Sequence, residues 1–279
     1  MIRKVEKKVR GFKAVDGAGV RLVRVLGNQT TEEFDPFLML DSFDSVNPDD
    51  YTAGFPMHPH RGIETISYVS RGKMIHRDSL GNEEEIGDGE VQWMNSGSGI
   101  MHEEMVPAAE RLLGVQLWLN LPADEKMSRP TYRSIKRDEI KEIEIEGGII
   151  RLLAGTYKGC QGYKGEHLPM DYYAIHLDAE AKVTIDMNHD DSVMIFTMLG
   201  DVYINGERIE EKTAVKLTKG DRLTIKNGEK NAQVLYMNSR ALKEPVAWAG
   251  PIVMNKQEEV QNAIVELKKG TFIKEKVDY

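Results

Sequence analysis

His58-Pro59-His60 and, about forty residues later, His102-Glu103-Glu104 are the stretches whose reading decides this chain. Each places metal-binding side chains two residues apart. On an extended strand, residues two apart point to the same face. Two such strands meeting in a sheet bring His58, His60, His102 and Glu104 into one pocket. Three imidazoles and a carboxylate suit a borderline divalent ion such as iron, manganese, nickel, copper, cobalt or zinc. The chain has seven histidines, and three fall in these two patches, beside glycine-containing turns. Accidental clustering of unrelated polar residues is the weaker explanation.

Strand signals dominate on both sides of the two patches. Arg21–Val25, Ile63–Val69, Lys73–Arg77, Glu90–Met94, Val115–Leu119 and Ile149–Leu153 are short apolar, β-branched runs bounded by Gly, Asn or Asp. The second half continues with Tyr172–Leu177, Ala181–Ile185, Ser192–Leu199, Asp201–Ile204, Arg222–Ile225 and Ala232–Met237. Short strands at spacings of roughly ten residues predict an antiparallel sandwich or barrel. One helix is signalled late. Asn255 caps it with Glu258 three residues on, Val260, Ala263, Ile264 and Leu267 form its apolar stripe, and Gly270 stops it.

The chain also reads as a faint duplication. Gly72-Lys73-Met74-Ile75 followed by Gly87-Asp88-Gly89 matches Gly200-Asp201-Val202-Tyr203 followed by Gly220-Asp221, at offsets of about 130 residues. Carrying the ligand positions across reaches Asp186 and Asn188, and then Leu235-Tyr236-Met237, with no second histidine pair. One copy is expected to carry chemistry and the other to be scaffold. Leu121–Glu146 reads as the link between them. Arg129-Pro130-Thr131-Tyr132 within it is extended, because proline disfavours helix in the residue before it.

Composition bounds the function. Hydrophobic residues at 41% and charged residues at 29% describe a soluble globular protein. A net charge of −8 argues against a direct nucleic-acid surface. No run approaches bilayer-spanning length, and the N-terminus lacks a signal-peptide apolar core. The single cysteine, Cys160, allows no internal disulfide, so a cytoplasmic setting is expected. Among other candidates, His76 reads as a surface or hydrogen-bonding residue, and His167, His176 and His189 as structural. Trp93, Trp118 and Trp248 read mainly as core, with Trp93 and Met94 near enough to the second patch to line a cavity.

Glu64 rivals Glu104 as the fourth ligand. It lies four residues after His60, the same face of an uninterrupted strand, and cupin barrels commonly use a His-x-His-then-Glu pattern with a later histidine. The wording around these ligands is more specific. The chain resembles the pirins, the two-barrel family of the cupin superfamily. The resemblance rests on Pro36-Phe37-Leu38-Met39-Leu40-Asp41, His58-Pro59-His60-Arg61-Gly62-Ile63-Glu64-Thr65, Gly89-Glu90-Val91-Gln92-Trp93-Met94, Gly97-Ser98-Gly99-Ile100-Met101-His102 and Leu117-Trp118-Leu119-Asn120-Leu121-Pro122. Glu244-Pro245-Val246 and Gly250-Pro251-Ile252-Val253-Met254-Asn255 extend it to nearly the whole chain.

The resemblance implies an all-β fold of two cupin-type antiparallel β-barrels, a bicupin with a few short helices. We place the metal-binding barrel at 1–130 and a barrel without ligands at 140–279, with strands exchanged at the ends. It implies His58, His60, His102 and Glu104 as ligands of one divalent ion, taken first as Fe2+, with Glu64 demoted to hydrogen bonding behind them. It also implies quercetin 2,3-dioxygenase chemistry on a flavonol-like molecule and O2, with Glu104 as both ligand and catalytic base. Pirins are described as metal-dependent regulators acting through protein partners as well, and that is the alternative. Neither reading calls for nucleic-acid or membrane binding.

Overall fold

The computed structural model describes residues 1–275. The chain forms two compact units, neither of them one continuous stretch. One gathers Lys13–Thr31, Phe37–Lys136 and the chain from Leu242 onward; the other gathers Met1–Phe12, Glu32–Pro36 and Arg137–Ala241.

In the first unit, seven strands run in the order Thr131–Ile135, Glu90–Asn95, Ile63–Arg71, Leu112–Asn120, Phe37–Ser45, Val20–Leu26, Phe12–Asp16. A four-stranded sheet runs Phe55–His60, Ile100–Met105, Met74–Asp78, Glu83–Ile86. The ladders are antiparallel. Leu112–Asn120 is buried at every position, as a central strand covered on both faces must be. Ile100–Met105 instead alternates buried and half-buried, and its inward positions are Ile100, His102 and Glu104.

The second unit repeats the plan. Its seven strands run Val5–Arg10, Thr213–Leu217, Ser192–Leu199, Ala232–Ser239, Met170–Leu177, Gly148–Ala154, Lys141–Ile145. Its four run Lys182–Asp186, Arg222–Asn227, Val202–Ile204, Glu207–Ile209. The all-β, duplicated architecture is therefore present, and each strand read from the sequence is found.

The alignment of the two halves needs correction. Gly72 and Gly200 do occupy equivalent turns, after Ile63–Arg71 and Ser192–Leu199. Gly220-Asp221, however, opens Arg222–Asn227, the counterpart of Ile100–Met105, and not the counterpart of Glu90–Asn95. Similar glycine turns do not say which strand they introduce; the ladders do.

The late helix spans Gln257–Lys269 and stops at Gly270, whose φ of +68° suits glycine. Its start differs from expectation. Lys256 is the N-cap, and Glu259, not Glu258, reaches back to the Asn255 and Lys256 amides at 3.2 and 2.9 Å. Val260 and Ala263 pack with Ile252, Met254 and Phe272.

Candidate metal centre

The first and second histidines come from Phe55–His60, and the third from its neighbour Ile100–Met105. The register sets His102 directly across from His58 and Ile100 across from His60. Ligand nitrogens of His58, His60 and His102 lie within 4.8 Å of one another. His60 and His102 are fully buried, while His58 is half-buried.

The hydrogen bonds fix which nitrogen of each ring is free. His58 Nδ1 lies 2.8 Å from the Pro56 carbonyl and His60 Nδ1 lies 3.1 Å from the Pro251 carbonyl. A carbonyl only accepts, so each Nδ1 carries the proton and each Nε2 is a bare lone pair. Those two Nε2 atoms are 3.1 Å apart with no proton to share. His102 Nε2 is buried and has no hydrogen-bond partner among the described residues. Unshared lone pairs converging in a buried space are costly without a cation, and a divalent metal ion fits them.

Electrostatics agree with neutral rings. Burial, reinforced by the neighbouring His58, pulls His60 down to about 3. Burial and the surrounding imidazoles likewise hold His102 well below the ordinary histidine value. Neutral imidazole is the metal-binding form.

Glu104 shares the inward face with His102 and is buried. Its carboxylate accepts from Gln116 Nε2 at 3.0 and 2.8 Å, and from Gln92. Ser67 Oγ accepts from the same two amides at 3.2 and 3.3 Å. Each carboxylate oxygen has two acceptor sites, so amide contacts leave capacity for a cation. Gln92 appears within the resemblance and Gln116 just before it, but nothing in their spacing marked either as a partner of Glu104.

Glu64 is placed differently from the reading on an uninterrupted strand. The chain breaks at Arg61-Gly62, where Gly62 takes φ +79° and a Cβ would stand 2.0 Å from the Val253 carbonyl. Glu64 is the second residue of a strand of the other sheet, Ile63–Arg71, opposite Asn95 and Leu119. Alternation puts it with Ile66 and Tyr68, on the face away from Ser67.

His76 fills the hydrogen-bonding role read for it from the sequence, but not on the surface. It is fully buried and stacks on Tyr132 with ring centroids 3.9 Å apart. Its Nδ1 meets His102 Nδ1 at 3.3 Å and its Nε2 meets Asp78 Oδ2 at 2.8 Å. Burial pushes the Asp78 carboxyl up, but hydrogen bonds from His76 and Asn82 outweigh it and leave it below the usual value. Trp118 stands edge-on to His60 at 5.0 Å and belongs to an apolar cluster with Leu38, Met39 and Ile63.

In the second unit the same ladder positions carry no such chemistry. Val183 pairs with Ile225 and Ile185 with Leu223, so Val183, Ile185, Ile225 and Asn227 stand where the first unit has His58, His60, His102 and Glu104. Val202 and Ile204 replace His76 and Asp78. Ile195, Val215 and Tyr236 replace Ser67, Gln92 and Gln116. Asp186, Asn188 and the residues near 235, read from the sequence as the counterparts of the ligands, are not at the ligand positions. Val183, Ile185 and Ile225 belong to the apolar core of that unit.

Known proteins resemble the chain in sequence and in fold. The pirin profile matches residues 19–119, and the profile of the pirin C-terminal cupin domain matches residues 172–273. A pirin-like protein of Caulobacter vibrioides is 38% identical, over 97% of this chain and 99% of its own. Human pirin is 35% identical, over 95% of this chain and 92% of its own. A crystal structure of quercetin 2,3-dioxygenase from Acinetobacter baumannii superposes with a TM-score of 0.90 at 29% identity, covering 98% of this chain and 99% of that one. The chain belongs to the pirin family, with the two-cupin fold.

Proposed function

We propose that the chain binds one divalent ion, Fe2+ first, through His58, His60, His102 and Glu104, and acts as a quercetin 2,3-dioxygenase-type enzyme on a flavonol. The convergence of the bare Nε2 atoms of His58, His60 and His102 carries this reading; Glu104 lies outside that cluster, two residues along the same inward face as His102. Similarity to the Acinetobacter quercetin 2,3-dioxygenase supports the substrate class. The ion, when bound, supplies Lewis acidity toward the flavonol oxygens and redox capacity toward dioxygen.

The chain's own residues do the rest. Glu104 takes the proton of the flavonol 3-hydroxyl, the step that makes the ring electron-rich enough to react with dioxygen. Gln92 and Gln116 hold its carboxylate in place during that transfer. Both atoms of dioxygen add to the ring carbons flanking C3, the C2–C3 and C3–C4 bonds break, and C3 leaves with its own oxygen as carbon monoxide, both dioxygen atoms staying in the ester product.

Oxygen uptake and carbon monoxide release by the iron-loaded protein with quercetin test the proposal. Stoichiometric release of carbon monoxide is expected. Iron binding without turnover would favour the regulatory alternative, in which the ion serves contact with a protein partner.

A further inference from the structure

We propose that Asp78 and His76 are positioning residues that lock His102 in the tautomer whose Nε2 faces the other two histidines. The inference rests on the metal-binding reading above, and goes beyond it by assigning a role to two residues outside the ligand set.

The argument follows the protons. Asp78 is anchored by the Leu80 and Asn82 amides, at 2.9 and 3.1 Å, and by the Asn82 side chain at 2.9 Å from Oδ2. Its Oδ2 accepts from His76 Nε2 at 2.8 Å, and both side chains are fully buried. That proton leaves His76 Nδ1 as an acceptor. His102 Nδ1, 3.3 Å away, must then be the donor, and His102 Nε2 is left bare. Both nitrogens of His76 are occupied, so it orients a ligand without being one. Tyr132, stacked in near-parallel contact at 10°, fixes the plane of the His76 ring.

The duplication gives an independent argument. In the second unit the ligand positions are Val183, Ile185 and Ile225, and the His76 and Asp78 positions are Val202 and Ile204. Where no imidazole needs orienting, the buried histidine–aspartate pair has no counterpart. The pair and the ligands occur together in one unit and are missing together in the other.

The test uses the full-length protein with His76→Phe, which keeps the ring and its stack, and His76→Gln, whose amide can accept from His102 and donate to Asp78. Nitrogen-15 spectra of the metal-free proteins report the tautomer of His102. Fe2+ and Ni2+ titrations report affinity. Wild type and His76→Gln should show a protonated Nδ1 at His102. His76→Phe should shift it to protonated Nε2 and weaken metal binding tenfold to a hundredfold, the range for lost support of a metal-bound imidazole. A His76→Phe protein that keeps the wild-type tautomer and affinity overturns the proposal. A wild type that binds neither metal overturns the functional reading instead, while the tautomer measurement still decides the role of His76. Should His76→Phe fail to fold, Asp78→Leu with the same two measurements replaces it, and unchanged values there equally overturn the proposal.

Discussion

His60 Nδ1 lies 3.1 Å from the carbonyl oxygen of Pro251, a residue 191 positions away in sequence. The C-terminal segment thus completes the hydrogen bonding of a candidate ligand that sits in the middle of the first half. Two neighbours of His60 hold that segment in place. Arg61 reaches the Phe272 carbonyl at 3.0 Å and pairs with Glu266 at 2.7 Å. Lys126, itself buried, donates to the Gly62 and Val253 carbonyls at 2.7 and 3.1 Å, and to Asn120.

Lys126→Met is therefore expected to act at two levels. Three buried oxygens lose their donor, at a cost of about 3 kcal/mol in total after partial rearrangement. The Pro251 carbonyl, two residues before Val253, loosens, and metal affinity falls several-fold although no ligand is touched. Thermal denaturation and iron titration of the variant measure both. A stability loss with unchanged affinity would separate the segment from the site.

The pH dependence of the metal-free protein has a defined sign. His60 is held near 3 in the folded state by burial, against about 6.5 when unfolded. Between these values the unfolded chain binds a proton that the folded one refuses, so stability falls as pH drops through this window. Above about 6.5 the contribution is constant. His60→Gln should flatten the slope by about 1.4 kcal/mol per pH unit at most. Urea unfolding of wild type and variant from pH 7 to pH 4 provides the comparison, and equal slopes would refute the assignment.

Metal stoichiometry should be one ion per chain. Val183, Ile185 and Ile225 offer no lone pair, and Asn227 in the same ladder donates to the Leu177, Asp178 and Lys230 carbonyls at 3.2, 2.8 and 2.7 Å. Each buried aliphatic side chain instead contributes about 1.5–3 kcal/mol to that unit's core. Elemental analysis after iron reconstitution checks this, and two equivalents would contradict it.

Much of this was legible in the sequence because it was local. The histidine spacing, the strand runs and the Gly270 stop each depend on neighbours within a few residues. What was missed depended on pairing. Gln92 and Gln116 become partners of Glu104 only through the sheets, and His76 meets His102 only because Met74–Asp78 lies beside Ile100–Met105. The face of Glu64 turned on one backbone break at Gly62, where a continuous strand would have put it beside His60.

The fourth ligand is decided by Glu104→Gln against Glu64→Gln. The Glu104 amide would set an NH2 group against the donors of Gln92 and Gln116, so one of the three side chains must flip, costing about 1–3 kcal/mol. An amide oxygen can still coordinate, but it cannot take up the 3-hydroxyl proton. Glu104→Gln should accordingly bind iron more weakly and release no carbon monoxide from quercetin. Glu64 lies on the face of its strand away from Ser67, beyond the break at Gly62, so Glu64→Gln should keep its iron. Iron content and quercetin turnover of both variants settle the matter in two measurements. Full turnover by Glu104→Gln removes the base role, and loss of iron from Glu64→Gln moves the fourth ligand to Glu64.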